Sequence, residues 1–450
     1  MNVSSINQPQ FHSISLFRFA AQSKPLTINP KGRMTDHFVR MAKVDTVSDR
    51  SRIGTPQDTI PSTPSQTEFA KQLVQDLKAM GLEQIQMDKH SVVTAVLPTN
   101  IKSDEKIPTV ALIAHMDISP DAPTKNIQPK IHKKYAGGDL TVGYGVTINA
   151  EKLKADVGKD IITSDGTTLL WADNKAGIAE IFEAVRLLQE NPEMKRPHIK
   201  VVFTPDEEIL RILNFMDIDK LGADAAYTMD GAENHILHTE SFNGSKINVT
   251  FIGKAFHPGW AKNKLVNAIR MMGDFIHRLP KNQSPEATEG NQGFIHPYDL
   301  KGGDVEKAAL EMTVRDFEEG QHNAFIQHIQ TLAKEIKAQY PGGDVNVTVT
   351  EQYKNPRKAF AKTPWPVVEY AKQGLQKTGL TPVLEGIRGI TDGFGISNRG
   401  LPTPNIGSGA QNAHSRAEFV PVQDMETAVK VLVNTLNIWG KNLIKQSSDN

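Results

Sequence analysis

The chain has 450 residues, carries 51 basic and 51 acidic side chains for a formal net charge of zero, and contains no cysteine. Without a basic field it is poorly suited to nucleic acid or an anionic membrane as a partner, and without cysteine it forms no disulfide, iron–sulfur cluster or thiolate zinc site. No apolar run approaches the roughly 20 residues of a membrane helix. We expect a soluble, cytoplasmic protein of about two to four domains.

The first residues differ in composition from the rest of the chain. Residues 1–35 contain no Asp or Glu, and their basic residues are Arg18, Lys24, Lys31 and Arg33. No apolar core of the kind found in secretory signals follows a basic start. We interpret residues 1–33 as a disordered extension, with a transit peptide as the alternative.

From about residue 65 the apolar pattern alternates between helix and strand periods. Ser65 and Glu68 have the spacing of a capping box, and the helical stripe that follows them ends before Gly81. Two strands are predicted next, over residues 91–97 and 107–114. The second is an almost continuous apolar run, which is typical of a strand buried on both faces.

Three predicted strands end in histidine or acidic residues. The strand over residues 107–114 is followed by His115 and Asp117. A helix is predicted over residues 175–190, with Ile178, Ile181, Phe182 and Val185 on one face. It leads to a strand over residues 199–203, which runs into a Thr-Pro-Asp-Glu-Glu segment. The apolar run over residues 223–229 ends in Asp230. Sites in open α/β sheets form at the carboxyl ends of strands, so this recurrence predicts a site there.

A second unit is inserted in the chain. Strand, helix, strand, helix and strand signals follow one another over residues 245–252, 264–279, 308–315, 322–339 and 344–351. Helical patterns resume over residues 364–378 and 422–443. We therefore expect a larger domain formed by residues 34–241 and 352–450, interrupted by a two-layer α/β domain at residues 242–351.

Several kinds of chemistry are excluded by missing motifs. The chain has no Gly-x-Ser-x-Gly elbow and no phosphate-binding P-loop, and Gly143-x-Gly145 lacks the third glycine of a dinucleotide site. What remains is a scattered set of residues of the metal-ligand types: His115, Asp173, Glu208, Asp230 and His414. Taken singly, each is more commonly a solvated or structural side chain.

Seven segments together make the chain resemble the tripeptide aminopeptidases of the M20 metallopeptidase family. They occur in collinear order, and the likeness extends from about Met34 to the C-terminus. The segments are AHMDISPD (114–121), TSDGTTLLWADNKAGIAEI (163–181), FTPDEE (203–208), AYTMDG (226–231), HPGWAKNKLVNA (257–268), RGITDG (388–393) and AHSRAEF (413–419).

The resemblance implies a catalytic α/β domain with a mixed central sheet flanked by helices, a smaller inserted lid domain that dimerises the chain, and two zinc ions per subunit. It assigns His115 and Asp230 to one zinc ion, and His414 and Glu208 to the other. Asp173 is expected to bridge both ions. Imidazole and carboxylate ligands with an open position for water suit catalytic zinc.

Two further acids receive roles from the same resemblance. Asp117, two residues from His115, is expected to orient its imidazole. Glu207 is expected to be the general base, which takes a proton from water and delivers it to the leaving amine. The alternative interpretation of Glu207 and Glu208 is a helix N-terminus that favours negative charge, and both interpretations can hold together.

Three residues are expected to contact substrate. His257 and Asn267 lie in the inserted unit, and His257 resembles a histidine that helps to polarise the substrate carbonyl across a dimer. Arg388 resembles the arginine that binds the substrate's C-terminal carboxylate through its planar fork. The alternatives are that His257 is a turn residue before Pro258 and that Arg388 forms a structural ion pair.

The sequence departs from its family close to the expected ligands. Trp171 stands where the family has glycine, Asn174 replaces a carboxylate, and residues 209–212 (Ile-Leu-Arg-Ile) replace a glycine-rich turn. Residues 232–235 (Ala-Glu-Asn-His) also replace a Gly-rich stretch. We expect Trp171 and Ile209 to add bulk beside the metal ions and to lower the rate.

The sequence therefore predicts a dimeric dizinc aminopeptidase that removes the N-terminal residue from tripeptides. One alternative is another M20 activity, such as a dipeptidase or an amidohydrolase of N-acyl amino acids. A second is a non-catalytic relative that binds peptides.

Overall fold

The computed structural model describes residues 31–448, and most of the expected N-terminal extension lies outside them. Helix α1 (Lys31–Met41) includes the last three residues of that extension. Arg33 is fixed there because its Nη2 donates to Glu183 Oε1 at 2.6 Å and its Nη1 to Glu190 Oε1 at 2.8 Å. Regular structure thus begins before the expected boundary at residue 34.

The strands of the described residues are β1 (Glu83–Met87), β2 (Val93–Leu97), β3 (Thr109–His115), β4 (Lys130–His132), β5 (Leu140–Gly143), β6 (Val146–Ile148), β7 (Ile161–Thr163), β8 (His198–Thr204), β9 (Ala225–Gly231), β10 (Ile236–Ser241), β11 (Asn243–Ile252), β12 (Phe294–Gly303), β13 (Lys307–Asp316), β14 (Asp344–Tyr353), β15 (Val383–Ile387), β16 (Asn405–Gly407) and β17 (Phe419–Pro421).

After α1, the α-helices of the described residues are α2 (Pro64–Ala79), α3 (Ala172–Glu190), α4 (Ile218–Leu221), α5 (Ala268–Arg278), α6 (Glu319–Gln339), α7 (Arg357–Lys362), α8 (Val367–Gln376), α9 (Asp392–Asn398) and α10 (Val422–Ser448). None of these described helices combines the length and apolarity that crossing a membrane requires.

An eight-stranded sheet organises the larger unit. Its order is β1-β2-β8-β3-β9-β16-β10-β15. The pairs β8–β3, β3–β9 and β9–β16 are parallel, whereas β1–β2, β2–β8 and β10–β16 are antiparallel. The prediction of a mixed central sheet is confirmed. Because β8, β3 and β9 are parallel neighbours, their carboxyl ends meet at one edge, and the register pairs His115 directly with Thr204.

Helices cover both faces of this sheet. On one face α3 buries the predicted stripe of Ile178, Ile181, Phe182 and Val185, which is at most 3% exposed, in a core that also includes Leu436 of α10. Complete burial of each such side chain stabilises the fold by about 1.5–3 kcal/mol. The other face is covered by a second apolar cluster, which joins Ile113 and Val202 to residues of α4 and α9.

Helix α2 begins differently from the capping-box prediction. Its N-cap is Thr63, and Pro64 occupies the first helical position. Proline suits this position because its φ is already helical and its missing N–H would be unpaired anyway. Glu68 instead binds Lys71 at 2.7 Å, so the predicted Ser65–Glu68 capping box does not form.

The inserted unit is a four-stranded antiparallel sheet, in the order β12-β13-β11-β14, packed against α5 and α6. Its elements run from Asn243 to Tyr353, and the unit was expected at residues 242–351. Strand β12 was not predicted from the sequence. This strand contains Pro297 and ends at Gly303, and it lies at the sheet edge, where an absent ladder N–H is tolerated.

Candidate active site

The first group of converging side chains surrounds His115 at the end of β3. Its Nε2 lies 3.0 Å from Asp173 Oδ1 and 3.6 Å from Asp230 Oδ1. Asp173 stands at the start of α3, and Asp230 near the end of β9. The group is formed because β3 and β9 are parallel neighbours and α3 packs against both.

The second group surrounds His414, which precedes β17. Its Nε2 lies 3.0 Å from Glu208 Oε2 and 3.5 Å from Asp173 Oδ2. His414 is 42% exposed on its side chain, whereas that of Glu208 is 6% exposed. The site is therefore open to solvent on the His414 side.

Asp173 belongs to both groups, and a different oxygen faces each histidine. In each triad, His115–Asp173–Asp230 and Asp173–Glu208–His414, the potential ligand atoms lie within 4.8 Å of one another. All five residues expected to be ligands thus meet in one site. This arrangement can hold two cations that share one carboxylate.

The site's protonation states are set by burial and by the histidine–carboxylate contacts. Burial lowers the pKa of His115, but hydrogen bonds with Asp117 and Asp173 outweigh it, and the pKa lies well above its usual value. Hydrogen bonds with Asp173 and Glu208 raise the pKa of His414 to about 12.

The pKa values of the three acids expected to be ligands are shifted in different directions. Burial raises the pKa of Glu208 to about 7 and that of Asp230 to about 6. Burial also opposes ionisation of Asp173, but its hydrogen bonds with the two histidines hold its pKa below the usual value. A cation that binds here must displace protons, so its affinity rises with pH.

Asp117 is fully buried and contacts both the first histidine and the Glu207–Glu208 turn. Its carbonyl oxygen lies 3.0 Å from His115 Nδ1, and its carboxylate Oδ1 lies 3.5 Å from the same nitrogen. The carboxylate accepts the backbone N–H groups of Glu207 at 3.0 Å and Glu208 at 3.1 Å. One side chain therefore fixes an imidazole and the two glutamates together.

Glu207 is 6% exposed. Burial raises its pKa well above the usual value, against the attraction of His115 and with the repulsion of Asp230 and Asp392. A carboxyl group with a raised pKa is suited to accept and return a proton near neutral pH.

Three further acids support the site, and no role was predicted for them from the sequence. Asp121 Oδ2 lies 2.8 Å from His414 Nδ1. Asp206 is buried, and its carboxylate accepts from Ser62 Oγ at 2.6 Å and Gln66 Nε2 at 2.7 Å. Asp392 accepts from Thr204 Oγ1 at 2.7 Å, and burial raises its pKa to about 7. All three lie within the recognised segments, but no local pattern indicates their long-range partners.

The residues expected to contact substrate have their described contacts with other parts of the chain. His257 is exposed and accepts the Gly259 N–H at 3.1 Å, and its ring centroid lies 4.3 Å from that of Trp260 with the two rings tilted by 32°. Asn267 Oδ1 caps α5. The terminal nitrogens of Arg388 donate to carbonyl oxygens of Thr288, Gly290 and Gln292 and to Thr288 Oγ1.

The departures from the family pattern are accommodated in specific ways. Trp171 adopts the left-handed conformation with φ +69°, and its indole is 1% exposed in an apolar cluster with Ile118, Ile127 and Leu169. In the segment after Glu208, Leu210, not Ile209, takes a positive φ, at +57°. The β-branched residue thus avoids the strained conformation.

Asn174 also fits its surroundings. Its Nδ2 donates to Asp230 Oδ1 at 3.2 Å. A carboxylate at this position would face Asp230 with like charge, whereas the amide supplies a donor. Asn174 therefore supports a proposed ligand directly.

The two histidines and three acids at the carboxyl edge of this α/β sheet have the residue types and spacing of a dinuclear metal site. The model of the peptidase family M20/M25/M40 matches residues 171–438. Peptidase T of Clostridium perfringens strain 13 is 39% identical over 412 residues, which is 91% of this chain and 99% of that protein. Peptidase T of Clostridium botulinum strain Loch Maree is 41% identical over 409 residues, 90% and 98% of the two chains. The chain belongs to the M20 peptidase family.

Solved structures share the fold. The aminopeptidase PepT from Bacillus cereus has a TM-score of 0.70 at 23% identity, covering 92% of this chain and 99% of that one. A tripeptidase from Staphylococcus aureus has a TM-score of 0.72 at 20% identity, with the same coverage. A dinuclear metal-binding M20 peptidase from Bacillus subtilis, with a TM-score of 0.61 at 16% identity, covers 91% and 98% of the two chains.

Proposed function

We propose that this protein is a cytoplasmic dizinc aminopeptidase that removes the N-terminal residue from tripeptides. The support for the substrate is the identity of about 40% with peptidase T over nine-tenths of the chain. A cysteine-free composition suits a reducing compartment.

The observation that carries the metal assignment is the position of Asp173. Its Oδ1 faces His115 and its Oδ2 faces His414, at 3.0 and 3.5 Å. Two cations held by the two triads would share Asp173, and its negative charge would offset their mutual repulsion. His115 and Asp230 would hold one ion, and His414 and Glu208 the other.

The remaining chemistry of the site fits cations. Glu208 Oε1 is buried and has no hydrogen-bond partner within residues 31–448. A buried carboxylate oxygen without a donor is costly unless a positive charge faces it. Mixed imidazole and carboxylate donors favour zinc. Bound zinc would lower the pKa of the attacking water and polarise the scissile carbonyl.

Glu207 performs the proton transfers in this proposal. Its carboxylate accepts a proton from the attacking water and returns it to the leaving amine. The raised pKa of Glu207 brings it towards the working pH, where both transfers are efficient. Asp117 holds the backbone N–H groups of Glu207 and Glu208, and so keeps the base and the neighbouring ligand in fixed directions.

The inserted unit is proposed to dimerise the chain and to supply His257 and Asn267 to the substrate. Exposed apolar side chains at or near its edge strand include Ile269, Tyr298 and Leu300. Arg388 would bind the peptide carboxylate. Because its terminal nitrogens already donate to residues 288–292, that loop must release the guanidinium before it can take a carboxylate in a bidentate manner.

A substrate panel tests the proposal against other M20 activities. With purified enzyme and added Zn²⁺, we expect an unblocked tripeptide to be cleaved to a free amino acid and a dipeptide. The matching N-acetyl tripeptide and dipeptide should be poor substrates. Preference for the dipeptide or for the acylated substrate would overturn the tripeptidase assignment, and metal binding without any hydrolysis would indicate a non-catalytic relative.

A further inference from the structure

Glu418 places a fully buried carboxylate against the first residues of α3. It is 1% exposed. Its Oε2 accepts the backbone N–H groups of Leu170 at 2.8 Å and Trp171 at 2.9 Å. Its Oε1 accepts the N–H of Asp173 at 3.0 Å. A residue distant in sequence thus binds the backbone of the proposed bridging ligand.

The start of α3 lacks a cap of its own. The N-cap residue is Trp171, which is left-handed and makes no side-chain cap hydrogen bond. The first N–H groups of a helix have no partners within the helix, and they form its positive end. Asp173 and Asn174 have non-helical backbone angles, so the chain is irregular where α3 begins. Glu418 supplies acceptors for the N–H groups of Leu170, Trp171 and Asp173 in this irregular segment.

Glu418 and His414 lie in one short turn before β17. Glu418 N–H donates to the Ser415 carbonyl at 3.0 Å, and Ser415 Oγ donates to the Asn412 carbonyl at 2.8 Å. Gln411 and Phe419 close the turn through two backbone hydrogen bonds of 2.8 and 3.0 Å. His414 and Glu418 are therefore fixed in one unit.

We propose that Glu418 is a positioning residue that fixes Asp173 relative to His414 and so sets the affinity of both metal sites. The inference rests on the proposed dinuclear centre. Asp173 contributes one oxygen to each group, so a displaced Asp173 backbone weakens both sites together. A simple helix cap would instead stabilise the fold without changing the metal affinity of the folded protein.

Glu418→Gln tests this directly. The variant keeps the size of the side chain but replaces one acceptor oxygen with a donor, so at least one of the three hydrogen bonds is lost. We expect the folded apoprotein to bind Zn²⁺ about 10–100-fold more weakly at both sites, the range for losing a residue that supports a metal ligand. With Co²⁺ as a probe, the visible absorption should shift in energy or intensity.

The matched control is Glu180→Gln, on the same helix. Glu180 is also fully buried, and neither of its carboxyl oxygens has a hydrogen-bond partner in the described part of the chain. We expect this control to keep Zn²⁺ affinity within about twofold of wild type. An equal loss in both variants would overturn the proposal, because it would reflect a general effect on α3.

The variant Asp173→Ala distinguishes a failure of the positioning role of Glu418 from a failure of the proposed metal centre. If Asp173→Ala lost both ions but Glu418→Gln bound them as wild type, the positioning role would be wrong and the metal centre would stand. If Asp173→Ala kept both ions, the proposed centre itself would fail. Should Glu418→Gln not fold, Glu418→Asp keeps the charge but withdraws it from the N–H groups, and the same loss of affinity is expected. Unchanged affinity in that variant would equally contradict the proposal.

Discussion

Replacement of Trp171 by glycine has two opposite effects on the stability of the fold. The native backbone is left-handed, with φ +69° and ψ 28°, a conformation that glycine adopts without strain. The indole, however, is buried with Ile118, Ile127 and Leu169, and Lys175 Nζ lies 4.4 Å from its ring centroid. Trp171→Gly removes the strain and the packing together.

The packing loss is the larger effect. Relief of the left-handed conformation is worth about 1–2 kcal/mol. Truncation of a buried tryptophan costs about 3–5 kcal/mol, and loss of a desolvated cation–π contact adds up to about 2 kcal/mol. We expect Trp171→Gly to lower the free energy of unfolding by about 3–4 kcal/mol. Because the indole has its own apolar cluster, we expect no gain in turnover, contrary to the crowding expected from the sequence.

Urea denaturation of the apoprotein measures this change. Leu210→Gly is the matched control, since Leu210 has a similar φ of +57° but is 39% exposed. There the strain is relieved with little loss of packing, and the variant should be as stable as wild type or more stable by about 1 kcal/mol. A Trp171→Gly protein as stable as wild type, or one with faster turnover, would refute this reasoning.

Three further outcomes are expected. Glu207→Gln should retain two ions while hydrolysis falls about 10²–10⁴-fold, whereas Glu208→Gln should weaken one metal site; the reverse pattern in metal analysis would exchange their roles. Burial and the repulsion of Asp424 raise the pKa of Glu180 well above its usual value. The folded state therefore binds this proton more tightly than the unfolded state does. The contribution of protonated Glu180 to the free energy of unfolding is complete below about pH 4.3 and is lost as pH rises. The advantage of Glu180→Gln in melting temperature should therefore grow from pH 5 to pH 8, and a constant difference would show that Glu180 does not titrate differently on folding. Mixing His257→Ala and Glu207→Gln chains should restore on the order of one quarter of wild-type activity, because half of the dimers are mixed and each has one intact site; no recovery despite proven exchange would place His257 in its own subunit's site or outside catalysis.

Much of the fold follows from local patterns. The stripe of Ile178, Ile181 and Phe182 predicted the buried face of α3, and the apolar run before His115 predicted the central strand β3. Patterns failed where neighbours decide the structure. The N-terminus of α2 moved to Thr63 because Pro64 is better placed at the first helical position, and β12 was missed because an edge strand tolerates Pro297.

The residues of the site were also unequally predictable. Histidines and acids that follow buried parallel strands lie at the same edge of the sheet. For this reason the sequence predicts that His115 and Asp230 share one site. The residues that hold them could not be found in this way. Glu418 contacts the backbone of Asp173 across 245 positions, and Asp121 contacts His414 across 293. Only the folded chain shows which acid faces which donor.

Titration of the metal-free protein with Zn²⁺ tests the central claim, that Asp173 bridges two ions, most directly. Wild type should bind two ions per chain, and the same samples should hydrolyse a tripeptide as the sites fill. Asp173→Ala should bind neither ion at concentrations that saturate wild type, because both sites lose a shared ligand. Retention of one tight site in Asp173→Ala would contradict the bridging role and leave two independent sites in its place.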